Sequence, residues 1–353
     1  MIDALRRSQL SVELVHTGQH YDANMSDAFF RDLQMPAPDH FLGVGSGTHA
    51  QQTARVMEAF EPIVLDRKPR WVVVFGDVNS TMACALVTVK LKPTTGTRVA
   101  HVEAGLRSGD WRMPEEVNRV VTDRVSDLLL APSVDALPNL EREGIPSDRV
   151  RMVGNVMIDT LLKWLPVARD RRAADACGMG GERFVLVTLH RPSNVDDKGA
   201  LEIILRALDT LARDTRVLFP MHPRTRKQVT SFGLDHLLQR ITVVEPVGYL
   251  EMLSLLDSAS LALTDSGGVQ EETAVLGVPC LTLREQTERP ITLSAGTNRL
   301  APWPLTVDGI VASAREALAR PRVPVGSRSP EGWDGKASDR VAAALAERGL
   351  DDE

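Results

Sequence analysis

LALTDSGGVQEETAVLGVPCLTLREQTERP, residues 261–290, is the stretch on which the fold turns. LALTD is a short apolar run rich in strand formers, and Ser266-Gly267-Gly268 breaks it. Val269, Thr273 and Leu276 follow at i, i+4 and i+7, the spacing of one buried helical face. A strand, two glycines and a helix aim free backbone N–H groups and a positive helix end at one point, where an anion can sit. The glycines let a bulky ligand approach the backbone without meeting a Cβ. Glu272, one turn inside the helix, is placed to accept hydrogen bonds from a vicinal diol such as a ribose. Taken alone, the pattern serves equally well as a tight strand-to-helix turn whose acids complement the dipole.

Working outward, the same alternation fills the second half of the chain. FVLVTLH (184–190), RVLFPMH and ITVVEP read as strands, ALEIILRALDTLARD and YLEMLSLLDSA as helices. The first half repeats it. SVELVHT (11–17) reads as a strand, TGQHYDANMSDAFFRDL as an amphipathic helix, and GVGSGTHAQQTARVMEAFEPIVLDRK as a Gly/Ser loop feeding a longer helix. WVVVFGD (71–77) is a continuous apolar run, of the kind a parallel sheet buries on both faces. Asn79 is expected to N-cap the helix STMACALVTVKLK. RVAHVEA and LLLAPS are strands, PEEVNRVVTDRVSD a helix, and another helix spans about 156–169. Strands alternating with helices in both halves indicate two parallel-sheet α/β domains. The expected bounds are 1–168 and 182–320, joined by the polar RRAADACGMGGER, with a closing helix in 336–353 after a Pro/Gly/Arg-rich segment.

Length and composition set the class. At 353 residues the chain is long enough for two cores. Its net charge of −6 argues against a general nucleic-acid binder. No apolar run approaches the roughly 18 residues of a membrane span, and MIDALRRSQLSVEL has no secretory apolar core. Cys84, Cys177 and Cys280 are far apart and suggest neither disulfides nor a metal site. A cytoplasmic globular protein is expected.

Acidic residues stand at strand ends, where parallel sheets place ligands. Asp77 ends its strand in GDVNST, and Glu103 ends the next in HVEAG. Glu115 opens a helix in MPEEVNR behind Pro114, with Arg119 one turn later. Each has a plain structural use: Asp77 as a cap, Glu115 and Glu116 as dipole partners, Arg119 as an i+4 ion pair. Three acids at three equivalent edges point instead to a cleft in which carboxylates take and give protons. In the second half His190 and Arg191 end one strand and could contact a phosphate, while His222 ends another in MHPR.

Together the segments TGQH, GSGTHAQQTARVM, GDVNST, HVEAGLRSGDWRMPEEVNR, GNVMIDTL, LVTLHRPSN, HPRTR, TDSGGVQEE and CLTLREQTERPITLSAGTNRL resemble the non-hydrolysing UDP-N-acetylglucosamine 2-epimerases over about residues 11–300. GWDGKASDRV resembles that family's closing helix. The resemblance implies a glycosyltransferase-B-type fold of two Rossmann-like domains with the nucleotide sugar between them. It implies reversible conversion of UDP-N-acetylglucosamine to UDP-N-acetylmannosamine, through loss of UDP to a 2-acetamidoglucal and re-addition, with no metal or nicotinamide. A homodimer in the cytoplasm, serving cell-surface polysaccharide biosynthesis, is the implied setting.

Carried over by position, Asp77, Glu103 and Glu115 match the family's catalytic acids, Arg119 the arginine near them, and His190 the histidine on the UDP phosphates. Ser266, Gly267 and Gly268 match its phosphate-binding turn, Glu272 its ribose-binding glutamate, and Arg289 its arginine after Thr287-Glu288. Gln19, Arg55 and His222 fall in stretches resembling a second, activating substrate site of bacterial members. One departure stands out: the family's opening strand and Gly-Thr-Arg-Pro-Glu loop, with its Arg and a following Lys, have no counterpart in the sequence. The expectation is a first domain missing that central strand. Besides the epimerase, two readings remain open: a 2-epimerase of a modified UDP-sugar, and a nucleotide-sugar-binding pseudo-enzyme. A glycosyltransferase is a third, set apart by the acidic trio.

Overall fold

The computed structural model describes residues 1–19, 30 and 32–347. They divide into two compact units, Met1–Asp159 with Glu331–Glu353, and Thr160–Pro330. Every strand pair is parallel. The helix expected in TGQHYDANMSDAFFRDL lies largely outside the described residues.

The first unit opens with α1 (Ile2–Arg7), β1 (Val15–His16), β2 (His40–Phe41) and α2 (His49–Arg67). Then come β3 (Trp71–Phe75), α3 (Asn79–Thr95), β4 (Arg98–Val102), α4 (Pro114–Val125), β5 (Leu128–Ala131) and β6 (Val150–Met152). β3, β4, β5 and β6 form one sheet in that order, while β1 and β2 form a separate pair. SVELVHT is thus a strand only over Val15–His16. Side chains alternate across the larger sheet. Val72, Val74 and Val99 face a core with Val56, Phe60 and Val64 of α2 and Val87 of α3, against which Val15 and Leu42 also pack. Ala100, Val102, Leu128 and Leu130 face the other way.

Asn79 is not the cap expected of it. Val78 holds that position, and Asn79 begins the helix with its side chain turned inward. It donates to Gln52 Oε1 at 3.0 Å, contacts His49 Nδ1 at 3.1 Å and accepts from Asn118. A buried amide with several partners gains more than one spent on a single helix-end N–H.

The chain leaves the first unit inside α5 (Val156–Arg171). The second unit holds β7 (Phe184–Thr188), α6 (Lys198–Leu211), β8 (Arg216–Pro220), α7 (Pro223–Ser231), β9 (Thr242–Val244) and α8 (Tyr249–Ser258). β10 (Leu261–Thr264), α9 (Gly267–Leu276), β11 (Cys280–Thr282), β12 (Asn298–Leu300) and α10 (Val307–Leu318) follow. The sheet order is β12-β11-β10-β7-β8-β9. From the adjacent pair β7 and β10 the chain winds outward in opposite directions. The crevice beyond the C-terminal ends of such a pair is where open α/β sheets bind ligands.

The expected single buried face of α9 is instead burial all round: every residue from Val269 to Leu276 is buried. α8, β10, β11 and β12 surround it. Its polar side chains are consequently paired; Gln270 Oε1 accepts from Thr287 Oγ1 at 2.7 Å and Asn298 Nδ2 at 3.1 Å.

Residues 320–335 contain no helix or strand, and the chain then re-enters the first unit through α11 (Ala337–Glu347). Asp159 caps that helix, accepting from the backbone N–H of Ala337 at 3.0 Å and of Ser338 at 2.6 Å. Trp333 Nε1 donates to the Pro132 carbonyl at 2.9 Å. Val341 and Leu345 complete the core with Leu5, Val102 and Leu130, and burying each such side chain stabilises by ~1.5–3 kcal/mol.

Candidate active site

In the first unit, β3 and β4 deliver the expected acids to neighbouring strand ends. Asp77 lies two residues past β3, and Glu103 follows β4 directly. A Cβ built on Gly76 would stand 3.5 Å from Glu103 Oε2, so the second carboxylate reaches across to the residue before the first. Glu103 has a φ of +76°, in the left-handed region. A glutamate adopts that backbone only when its surroundings impose it, and such residues gather at functional sites. The imposing contacts are visible: Glu103 and Ala104 both donate their N–H to the Leu130 carbonyl.

Arg119, buried in α4, ion-pairs with Asp77 through Nη1. Its Nε and Nη2 donate to Glu116 Oε2 at 3.1 and 2.8 Å. Glu116 is the member of the Glu115-Glu116 pair that turns inward. It accepts from the backbone N–H of Ser108 at 3.0 Å and Gly109 at 2.8 Å. Burial pushes its carboxyl up, but those amides and Arg119 outweigh that and hold it below the usual range. Glu115 is half-buried in the first turn of the same helix, one turn before Arg119. The structure therefore brings Asp77, Glu103 and Arg119 together, with Glu115 at the start of the helix that carries Arg119.

Gln19 and Arg55 belong to this unit too. Gln19 is buried, and its Oε1 accepts from Ser80 N at 2.8 Å, in the first turn of α3. Arg55 Nη1 reaches the Ser46 carbonyl at 3.4 Å. Gln52 links the two places, donating to the carbonyls of Gln19 and Gly45.

In the second unit the crevice between β7 and β10 is organised by Asp265, a residue that sequence reasoning passed over. It is fully buried. It accepts from the backbone N–H of His190 at 3.1 Å and of Arg191 at 3.0 Å, and from Asn194 Nδ2 at 3.2 Å. His190 Nδ1 stands 3.1 Å from its Oδ1. Burial pushes this carboxyl up, and His190 with the neighbouring donors brings it below its usual range. The half-exposed His190 ring is thus fixed from behind, which leaves Nε2 as the atom available to a ligand. His222 N-caps α7, its Nδ1 accepting from Arg224 N at 3.2 Å. Desolvation, then the nearby charges of His190 and Arg224, push its pKa down.

Ser266 and Gly267 open α9 as expected. A Cβ on Gly267 would lie 2.7 Å from Arg289 Nη1, so the glycine makes room for that guanidinium beside the turn. Arg289 is pinned by two buried carboxylates, Nε to Glu271 Oε1 at 2.7 Å and Nη1 to Glu288 Oε1 at 2.8 Å. Glu288 also pairs with Arg191 and Arg284. Burial opposes its charge, but the three arginines bring its pKa down to about 2. The crevice therefore carries a cationic wall around a helix N-terminus, suited to a diphosphate.

Glu272 is less open than its expected role suggests. It is 6% exposed and hydrogen-bonded by the Tyr249 side chain. Desolvation first, and the Glu271 charge after it, push its pKa up to about 7 in spite of Tyr249. No local pattern marks Tyr249 in the sequence; it meets α9 only through packing of α8.

Two Rossmann-like parallel sheets, one with strand-end acids and one with a diphosphate-type cradle, define the glycosyltransferase-B class of fold. Comparison with known proteins narrows this. The family model for UDP-N-acetylglucosamine 2-epimerase matches residues 3–346. A UDP-N-acetylglucosamine 2-epimerase of Methanocaldococcus jannaschii is 45% identical over 85% of this chain and 83% of its own. The crystal structure of the M. jannaschii enzyme with UDP-GlcNAc and UDP superposes with a TM-score of 0.87, at 40% identity, over 98% of this chain and 94% of that one. A UDP-2,3-diacetamido-2,3-dideoxy-D-glucuronate 2-epimerase of Pseudomonas aeruginosa is 42% identical over 97% of this chain and 93% of its own. The chain belongs to the UDP-N-acetylglucosamine 2-epimerase family, and is an enzyme of the isomerase class.

Proposed function

We propose that the protein interconverts UDP-N-acetylglucosamine and UDP-N-acetylmannosamine by eliminating and re-adding UDP. The observation that carries this is the placement of Asp77 and Glu103 at adjacent strand ends, with Arg119 ion-paired to Asp77, in a chain whose other unit sets arginines beside a helix terminus. In the forward direction a carboxylate takes the proton from carbon 2. The bond between carbon 1 and the UDP oxygen breaks, a carbon 1–carbon 2 double bond forms, and UDP carries away the electron pair. UDP then attacks carbon 1 of the glycal while a carboxylic acid returns a proton to carbon 2 from the opposite face. The sequence is redox-neutral. Asp77, Glu103 and Glu115 supply the proton transfers, and Arg119 orients the Asp77 carboxylate through their ion pair. The N–H groups of Ser266, Gly267 and Gly268, with His190 and Arg289, stabilise charge on the departing diphosphate. Glu272 holds the ribose. The first unit, completed by the closing helix, provides the acids, and the second the UDP grip. Gln19, Arg55 and His222 are assigned to an activating second substrate site.

The family likeness and the net charge of −6 support a cytoplasmic homodimer whose partner is a nucleotide sugar rather than nucleic acid or membrane. No described helix is long and apolar enough to cross a membrane. The experiment is turnover in deuterated water, which should place deuterium at carbon 2 of the product. Product without that label removes the proton-transfer mechanism, and UDP binding without turnover leaves a binding protein.

A second reading concerns the sugar alone. The P. aeruginosa relative, a 2-epimerase of a UDP-diacetamido glucuronate, is nearly as similar in sequence as the M. jannaschii epimerase, at 42% against 45% identity. Offering both UDP-sugars and comparing kcat/KM decides between them.

A further inference from the structure

His101, in β4 directly below Glu103, has no accessible surface. Its Nδ1 lies 2.6 Å from Asp123 Oδ1, and its Nε2 lies 2.8 Å from the Gly76 carbonyl oxygen. A carbonyl oxygen only accepts, so Nε2 carries a hydrogen. One proton then lies between Nδ1 and Asp123, and the second carboxylate oxygen decides where it sits. Asp123 Oδ2 accepts from Arg107 Nη2 at 2.7 Å and from Gly105 N at 3.0 Å. A guanidinium and an amide on that oxygen favour the ionised carboxylate, which leaves the proton on the ring. Arg107 is neutralised in turn by Glu143, at 2.7 and 2.8 Å. The four side chains form a closed row of alternating charge beneath the strand-end acids.

We infer that His101 is a buried imidazolium, and that with Asp123 it forms a positioning pair for the carboxylates of Asp77 and Glu103. This rests on the catalytic role proposed for those acids. Each arm of the pair holds a peptide beside one acid. Nε2 fixes the carbonyl of Gly76, the residue before Asp77, whose own N–H is held by the Val102 carbonyl. Asp123 fixes the N–H of Gly105, two residues past Glu103, in a turn where Glu103 and Gly105 have φ of +76° and +86°. Gly105 is itself wedged, since a Cβ there would stand 2.9 Å from the Ala136 carbonyl. The charged groups facing the ring are Asp123 from α4, backed by Arg107, and Glu103 from its own strand end; Asp77 follows the Gly76 carbonyl. Burial pushes the ring toward neutrality. Asp123, the Gly76 carbonyl and Glu103 together outweigh it and hold the ring's pKa above its usual value. Asp123 is correspondingly held below the usual carboxylate range. A fixed positive charge under Glu103 favours its ionised, proton-accepting form. Neither His101 nor Asp123 touches substrate in this scheme.

The test has a direct arm and a kinetic arm. Nitrogen NMR of the resting protein, labelled at its eight histidines, should show one ring with both nitrogens protonated from pH 6 to pH 9. That signal should vanish in His101→Gln. If every ring is neutral at pH 8, the proposal is overturned, whatever the kinetics. In the kinetic arm, His101→Gln and Asp123→Asn should each lower kcat by ~10–10²-fold, the scale of a misplaced reacting group. KM should stay within about threefold, because uniform binding is untouched. The acid limb of the kcat/KM profile should move to higher pH in both variants. Folded variants with unchanged kcat and pH profile would also overturn it. Should the variants fail to fold, the spectrum of the unaltered protein still decides. Absence of turnover in the unaltered protein would sink the epimerase reading and leave the ring's charge state to the spectrum.

Discussion

Replacing Gly267 by alanine puts a methyl group where Arg289 already lies. The new Cβ would stand 2.7 Å from Nη1 and 3.0 Å from Cζ of that guanidinium. Carbon and nitrogen pack comfortably at ~3.5 Å, so Arg289 must retreat by ~0.5–1 Å. A long side chain on its own would swing aside at little cost. This one is tied to Glu271 at 2.7 Å and Glu288 at 2.8 Å, and both carboxylates are 2% exposed. Glu288 keeps Arg191 and Arg284 when Arg289 moves, whereas Glu271 is left short of its cation. Stripping a buried carboxylate completely costs ~3–5 kcal/mol, and a partial retreat about half of that. Alanine in the first turn of α9 gains at most ~1 kcal/mol over glycine. Gly267 is not among the left-handed glycines, so no backbone strain enters. The steric loss wins. Gly267→Ala should lower stability by ~1–2 kcal/mol and weaken UDP binding by ~10–10²-fold through the displaced Arg289. The assay is thermal melting with calorimetric UDP titration of Gly267→Ala, Arg289→Ala and the double variant. If the methyl acts through Arg289, the double variant binds UDP no worse than Arg289→Ala alone. Additive losses, or unchanged affinity in Gly267→Ala, would refute the reasoning.

Two further outcomes follow from the site. Asp77→Asn, Glu103→Gln and Glu115→Gln should each lower turnover by ~10²–10⁴-fold while UDP affinity changes far less; near-normal turnover in folded variants would return all three to structural roles. Glu272 loses its proton at about 7 in the folded protein, against 4.5 for an unperturbed glutamate. Between those values the folded state holds the extra proton, so stability falls as pH rises, by ~3 kcal/mol across the interval. Melting temperatures from pH 4.5 to 8 should show that fall, and Glu272→Gln should flatten it; parallel curves would mean Glu272 ionises normally.

What the sequence disclosed follows from how local each signal is. LLLAPS, FVLVTLH and LALTD were legible because parallel strands buried on both faces leave continuous apolar runs; WVVVFGD reads the same way, but β3 lies at the sheet edge, with Val72 and Val74 buried and Phe75 exposed. Ser266-Gly267-Gly268 and Pro114 were legible because helix starts have their own chemistry. Asn79 misled because its partners His49, Gln52 and Asn118 are 27 to 39 residues away, beyond any local pattern. Glu115 and Glu116 are chemically identical neighbours about 100° apart on one helix, and only the fold says which turns inward. Asp265 and Asp123 were passed over for the same reason: each looks like one more acid until the donors around it converge. The burial of α9 on every side has no signature in the period of its apolar residues, because its polar side chains find partners from β12 and the loop before Arg289.

The route of the chain also has a consequence for how the protein comes into being on the ribosome. The first unit is left at Asp159 and regained only at Glu331, so the whole second unit is an insertion within it. Leu5, Val102 and Leu130 must wait for Val341 and Leu345 before their core closes. The intervening sheet, whose strands all fall within one continuous segment, can finish folding while still tethered to the nascent chain. The half that emerges first is therefore the half that matures last. Until then the face of the first sheet that carries Val102 and Leu130 stays uncovered, and the growing chain completes its second unit before its first.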